Sequence, residues 1–423
     1  MITRIEVRGF RALRDVDVPI KEFQVLVGPN GSGKSTFIDT VAFLRDFLRF
    51  GLETAVWGDS YARVQMRAAD PLELSYLRIR DPILFAIEAR APKSLVQDDG
   101  SCHMIRYELA VDLSGGPTVR EETLWLETDN SHDESNSEIP YRQHVLFPPR
   151  DFAEPKWNRE SSSHGWKRII AKTDSGADYL RSETSDWKGT FRFGPEKSVL
   201  ANLPEDQDMF PRTIWFKRLL LEQICVLALD AQKIRLPSQA RSAKRMLPDG
   251  SNLPWAVHRL ESETPEKLVD WIDHVRTAYR DIRHIRTVEK PEDGSRYIEI
   301  EYASGLVAPS WAISDGTLRL LALTALAYFP STGTILIEEP ENGIHPQAIQ
   351  TVVESLSSVY NAQVFLATHS TVVLSRLHAN QLLCFSRARD GSVSIVPGDK
   401  HPYVGDWKDA IHLGDLLAMG VLG

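Results

Sequence analysis

The stretch GPNGSGKST (28–36) sets glycines, one lysine and hydroxyl residues at a spacing that can hold phosphate groups. It fits the pattern G-x-x-x-x-G-K-[ST], with Gly28, Gly33, Lys34 and Ser35 at the defining positions. The chemistry needs those residue types. Glycines let backbone N–H groups wrap an anion, the lysine reaches the terminal phosphates as a point charge, and the Ser35 hydroxyl suits Mg²⁺. A helix opening behind the loop adds partial positive charge. Each residue of the stretch is therefore a candidate nucleotide contact: Gly28, Pro29, Asn30, Gly31, Ser32, Gly33, Lys34, Ser35 and Thr36.

Carboxylates stand at a second place. TILIEEPENGIHP (334–346) reads as a buried strand ending in Glu338 and Glu339, with a helix starting at His345-Pro346. In nucleotide hydrolases an acid at such a strand end joins the Mg²⁺ shell, so Glu338 is the metal candidate beside Ser35. An aspartate is commoner there, and a glutamate carries its carboxylate one methylene further out. Glu341 and Asn342 read as turn and capping groups. ATHS (367–370) ends another buried strand. His369 is either structural or a hydrogen-bond partner of a γ-phosphate or an attacking water, and its place one strand after the carboxylates favours the second. In ISDGTLRLLALTAL (313–326), Ser314-Asp315-Gly316-Thr317 opens a helix that is apolar on nearly every face. Ser314 and Gly316 are either an ordinary cap before a core helix or an anion site without an anion of its own.

These residues need a frame. FQVLV (23–27), TILIE (334–338) and QVFLATHS (363–370) read as buried strands. Helices are expected from Ser35, from Thr317 and from Pro346. PILFAIEARA and RYELAVDL make 72–126 strand-rich. Residues 211–230 and 264–280 are helical by period, and RYIEIEYA (296–303) alternates as a strand. KIRLPSQARSAKRMLPDGSN (233–252) is a basic, turn-rich connection. Its Lys233, Arg235, Arg241, Lys244 and Arg245 form either a DNA or effector contact or a solvated loop. ETDNSHDESNSE (127–138) reads as a polar loop, and 150–195 either docks a partner or belongs to the core.

Order and wording together resemble the ABC-type ATPase heads of the SMC/RecF/OLD-like branch. GPNGSGKST, SDGTLRLLAL, ILIEEPENGIHP and ATHS carry the resemblance, over about 1–60 and 300–423. It is like the compact prokaryotic AAA family ATPases of Septu-like, retron-associated or PARIS-like anti-phage sets. The fold it implies is α/β: a P-loop ATPase head in split halves with a mixed α/β insert and no long coiled coil. The implied domains are 1–126 with the P-loop, 127–290 as the insert, and 291–423 with the signature, Walker B strand and switch histidine. The resemblance implies ATP and Mg²⁺ as cofactors, Glu339 as the group that polarises water, and Lys34 and His369 beside it. Ser314 and Gly316 would meet a γ-phosphate held by a second copy, in an ATP-dependent dimer or larger oligomer. Arg11 is either a nucleotide contact or a surface arginine, and Gln143 is a candidate for the glutamine loop.

Bulk numbers narrow the function. The net charge of −9 argues against coating nucleic acid by charge alone. The three cysteines follow no metal spacing, and neither a signal peptide nor a membrane span is visible, so a cytoplasmic protein without membrane contact of its own is expected. The roughly 240 residues between the halves lack heptads, and the 53 residues after ATHS are too few for a Toprim nuclease. The leading expectation is a dimeric ATP switch controlling a separately encoded effector such as a nuclease. The alternative is a RecF-like repair ATPase that binds DNA directly.

Overall fold

The computed structural model describes residues 1–95, 103–127, 166–173, 177–239, 245–329 and 333–401. Gln143, Cys102, Arg241, Lys244 and the 127–138 loop beyond Glu127 lie outside them. The chain forms two compact units. One comprises Met1–Ile20, Thr36–Ile224 and Arg387–Ser394. The other comprises Lys21–Ser35, Cys225–Ser386 and the described part of Ile395–Gly423.

The strands in chain order are β1 (Ile2–Phe10), β2 (Leu13–Pro19), β3 (Phe23–Val27), β4 (Ile83–Arg90), β5 (Met104–Asp112), β6 (Thr118–Glu127), β7 (Trp166–Lys172), β8 (Asp178–Arg181) and β9 (Lys188–Phe191). They continue with β10 (Ile224–Leu227), β11 (Ile282–Glu289), β12 (Arg296–Tyr302), β13 (Val307–Pro309), β14 (Gly333–Glu338), β15 (Ala362–Thr368), β16 (Leu382–Arg387) and β17 (Val393–Pro397). The helices are α1 (Lys34–Phe50), α2 (Leu52–Trp57), α3 (Pro211–Glu222), α4 (Ala231–Ile234), α5 (Leu253–Glu263), α6 (Pro265–Arg276), α7 (Asp315–Ala325), α8 (Pro346–Ser357) and α9 (Thr371–Leu374).

The first unit is built on an eight-stranded sheet, β2-β1-β4-β5-β6-β7-β8-β9. Its strands pair antiparallel throughout. Phe37, Ile38, Val41, Leu44, Phe47 and Leu48 of α1 are all buried, as the helical period requires. Phe43 on the same helix stacks on Phe85 of β4 at 5.4 Å. Buried charge also holds this sheet. Arg106 of β5 is 1% exposed and pairs with Glu6, Glu88 and Glu108 at 2.6, 2.8 and 2.7 Å. The three neighbours satisfy a guanidinium that burial alone would make costly.

The second unit carries a six-stranded sheet, β10-β14-β15-β3-β16-β17, and the small antiparallel sheet β11-β12-β13. β14, β15, β3 and β16 pair in parallel. β3 is buried along its whole length, and so is β15. Parallel strands covered on both faces read as continuous apolar runs, which is why FQVLV and AQVFLAT were legible.

Two stretches depart from the sequence reading. The 211–230 segment is not one helix: α3 ends at Glu222, and Ile-Cys-Val-Leu then forms edge strand β10. Branched side chains suit that pleated edge, and sheet pairing overrides local helical period. Residues 253–263, which the period left unassigned, form α5, opened by Asn252 and Pro254.

The core of the second unit fastens α7. Trp271 of α6 is fully buried and donates its indole N–H to Thr324 Oγ1 at 2.9 Å. Trp271→Ala should destabilise this unit by about 3–5 kcal/mol through the cavity it leaves. Trp271→Phe should cost about 1–2 kcal/mol through the lost donor. Denaturant unfolding followed by circular dichroism reads both.

Candidate nucleotide site

The loop at 28–33 leaves the end of β3 and enters α1 at Lys34. Gly28 has φ 154°, and a Cβ there would meet Phe385 O at 2.3 Å and Ser32 Oγ at 2.9 Å, so only glycine fits. Pro29, Asn30 and Gly31 are exposed at the loop tip, whereas Ser32 is 1% exposed. Lys34 Nζ folds back on the loop and donates to Gly28 O at 2.7 Å and Pro29 O at 3.0 Å. Burial pulls the Lys34 ammonium below its ordinary pKa, and the charges of Glu339, Glu338 and Glu341 oppose that. Thr36 follows on α1, where its carbonyl accepts from Thr40 Oγ1 at 3.2 Å.

Register explains how the other candidates reach the loop. Val27 pairs with Thr368, and Glu338 pairs with Ala367, so the three strands end level. The residues that come next, Gly28, Glu339 and His369, leave the same edge of the sheet. Open parallel sheets bind ligands outside the carboxyl ends of their strands. Ser35 Oγ donates to Glu338 Oε2 at 2.7 Å across that edge. The extra methylene of Glu338 therefore leaves its carboxylate within reach of the Ser35 hydroxyl.

Glu339 is held on several sides. Its N–H donates to Ala367 O at 2.8 Å, its Oε1 lies 3.1 Å from His369 Nδ1, and Asn342 Nδ2 donates to its Oε2 at 2.5 Å. It takes φ 48°, a left-handed backbone that costs a non-glycine residue about 1–2 kcal/mol. Strain of that kind concentrates at functional positions. Glu341 accepts from Thr368 Oγ1 at 2.5 Å. A cleft of about 190 Å³ opens beside Glu338 and Glu339, lined also by Asn342, Leu227 and Arg319. Sequence reasoning assigned Asn342 to the turn and missed Thr368 and Arg319. The E-x-x-N spacing that brings Asn342 back to Glu339 was the available signal.

Ser314 caps α7 through its hydroxyl, which accepts from Thr317 N at 3.2 Å. Gly316 has a reason within its own unit: a Cβ there would stand 2.4 Å from Gly343 O, in the turn after the carboxylates. Helix α7 and that turn touch backbone to backbone. Arg11 sits in the β1–β2 hairpin at φ 48°, where its Nη1 lies 3.3 Å from Asp39 Oδ2 on α1 and its Nη2 donates to Arg67 O at 3.1 Å.

The donor set fits a nucleoside triphosphate and its metal. A Cβ at Gly31 would meet nothing within 4 Å, the buried Ser32 hydroxyl has no protein partner among the described residues, and Ser35 and Glu338 already converge. Fold and loop together define a P-loop head of the ABC type, with α/β layering. Among the described residues the longest helix has 17 residues, and there is no long coiled coil.

The solved SMC head bound to the C-winged helix domain of ScpA shares this fold at TM-score 0.52 and 16% identity, over 93% of this chain and 97% of that one. A family model described as "AAA domain, putative AbiEii toxin, Type IV TA system" matches residues 23–375, and the chain belongs to that family. It is similar to the "Retron Vc95 probable ATPase" of Vibrio cholerae, with 21% identity over 92% of this chain and 74% of that one. A 41-residue stretch is 42% identical to an "OLD nuclease" of Thermus scotoductus, covering 10% of this chain and 8% of that protein. No helix among the described residues is long and apolar enough to cross a membrane.

The Gly316 contact gives a test. Gly316→Ala should lose about 1–3 kcal/mol of stability through overpacking against Gly343 O. Ser314→Ala should lose about 1 kcal/mol through the missing cap. Thermal unfolding of the two variants against the parent checks the order.

Proposed function

We propose that the protein is an ATP-binding and hydrolysing switch that closes as a dimer and controls a separately encoded effector in anti-phage defence. The observation that carries the reading is the convergence of Ser35 and Glu338 at 2.7 Å, with the Glu339–His369 pair one residue further along the same sheet edge.

Each residue has a role that follows from its place. Lys34 exchanges its bonds to Gly28 O and Pro29 O for terminal phosphate oxygens. The loop from Gly28 to Thr36 wraps the phosphates with N–H groups. Ser35 and Glu338 would hold Mg²⁺, which would supply charge neutralisation for the bound phosphates. Glu339, aimed by Asn342 and His369, accepts the proton of the attacking water. Ser314 and Gly316 face the nucleotide of a second copy.

The defence setting is supported by the family and by the retron relative. The direct DNA reading gains nothing from the basic stretch, because its described members are engaged. Lys233 lies 3.1 Å from Asp249, and Arg235 pairs with Asp315.

Lys34→Ala should lower ATP affinity by about tenfold or more, read by nucleotide titration. Glu339→Gln should keep ATP affinity, lose at least about a hundredfold in hydrolysis, and move to twice the mass with Mg-ATP in light scattering. Normal turnover by Glu339→Gln would remove the water-activating role. An unchanged mass with ATP would remove the dimer reading.

A further inference from the structure

Asp315 sets an acid where the dimer reading needs an anion to arrive. It is the first residue of α7, directly after the Ser314 cap, and its side chain is 50% exposed. A carboxylate stabilises the helix N-terminus of its own chain, yet it repels any external anion brought to the same N–H groups.

The fold answers this charge from a distant part of the sequence. Arg235, just after α4, ion-pairs through Nη2 with Asp315 Oδ1. Gln232 Nε2 approaches Asp315 Oδ2 at 3.4 Å. The same guanidinium donates from Nη1 to Trp311 O at 2.9 Å, and Ser310 Oγ donates to Arg235 O at 2.8 Å. One arginine thus bridges 311 to 315, the segment that leads into the cap. Its Nε is buried without a partner among the described residues, a cost that native structures seldom carry without reason. Lys233, two residues away, is turned to Asp230 and Asp249, so it does not share the task.

We propose that Arg235 is a positioning residue for the shared site. It cancels the Asp315 charge and fixes the 311–315 segment, so that the N-terminus of α7 can receive a terminal phosphate carried by a second copy of the chain. The inference rests on the dimer reading given above. It makes the start of the basic stretch part of the dimer site rather than a contact for nucleic acid.

The test is run in the Glu339→Gln background, which holds ATP. Solution mass is followed against protein concentration in Mg-ATP, and nucleotide affinity is measured at a concentration where the chain is a monomer. Adding Arg235→Ala should raise the concentration needed for half-dimer by about tenfold or more, with monomer nucleotide affinity unchanged within about twofold. Adding Asp315→Asn as well should restore dimer formation, since the repelling charge is then gone. Arg235→Lys should recover part of the loss and guards against a fold defect in the alanine variant, as does thermal unfolding. Dimer formation equal to the Glu339→Gln parent would overturn the role of Arg235 and leave the dimer reading standing. A loss that Asp315→Asn does not rescue would overturn the charge-cancelling role. If the Glu339→Gln parent itself fails to dimerise with Mg-ATP, the dimer reading falls and this inference falls with it.

Discussion

The parallel ladder β14–β15–β3 is the constraint on which the site depends. Its register pairs Glu338 with Ala367 and Thr368 with Val27. Three loops from distant parts of the chain therefore leave one edge at one level. A slip of one residue would turn every side chain of the moved strand to the other face. Both β3 and β15 are buried throughout, and the buried amides within them have fixed partners: Gln24 donates to Gln381 O at 2.8 Å and Gln363 to Lys21 O at 3.0 Å, bonds that a slip would break. Parallel neighbours also require long crossovers, and α8 supplies the one between β14 and β15.

Charge at that edge is balanced closely. Lys34 is buried enough for its ammonium to be disfavoured, and three glutamates near it work in the opposite direction. Ser35 already donates to Glu338, while His369 and Asn342 hold Glu339. A triphosphate brings negative charge to a place rich in carboxylates, which makes an accompanying metal a physical requirement of the reading rather than an accessory.

Helix α7 serves two demands at once. Its apolar faces belong to the core, with Leu318, Leu320 and Leu321 fully buried. Its N-terminus is fastened by the Ser314 cap, by the bare approach of Gly316 to Gly343 O, and by Arg235 on Asp315. The contact with Gly343 places the helix directly against the turn that follows the carboxylates. Movement at either would be felt at the other, because packed backbones shift in discrete steps rather than deform freely.

The sequence by itself determined the phosphate loop, the buried strands, the strand-end carboxylates and the family resemblance. Each is written in contiguous residues: a glycine pattern, an apolar run, a cap before a helix. Only the tertiary structure decided how far the Glu338 carboxylate reaches, that Asn342 and Thr368 steady the acids, and that Gly316 is small because Gly343 O is near. It also decided that Arg235, read as part of a basic stretch, answers Asp315 across 80 positions of sequence. It turned the end of the 211–230 segment into an edge strand. These outcomes rest on contacts between segments far apart in the chain, and local period or residue type carries no record of which distant partner a side chain will meet.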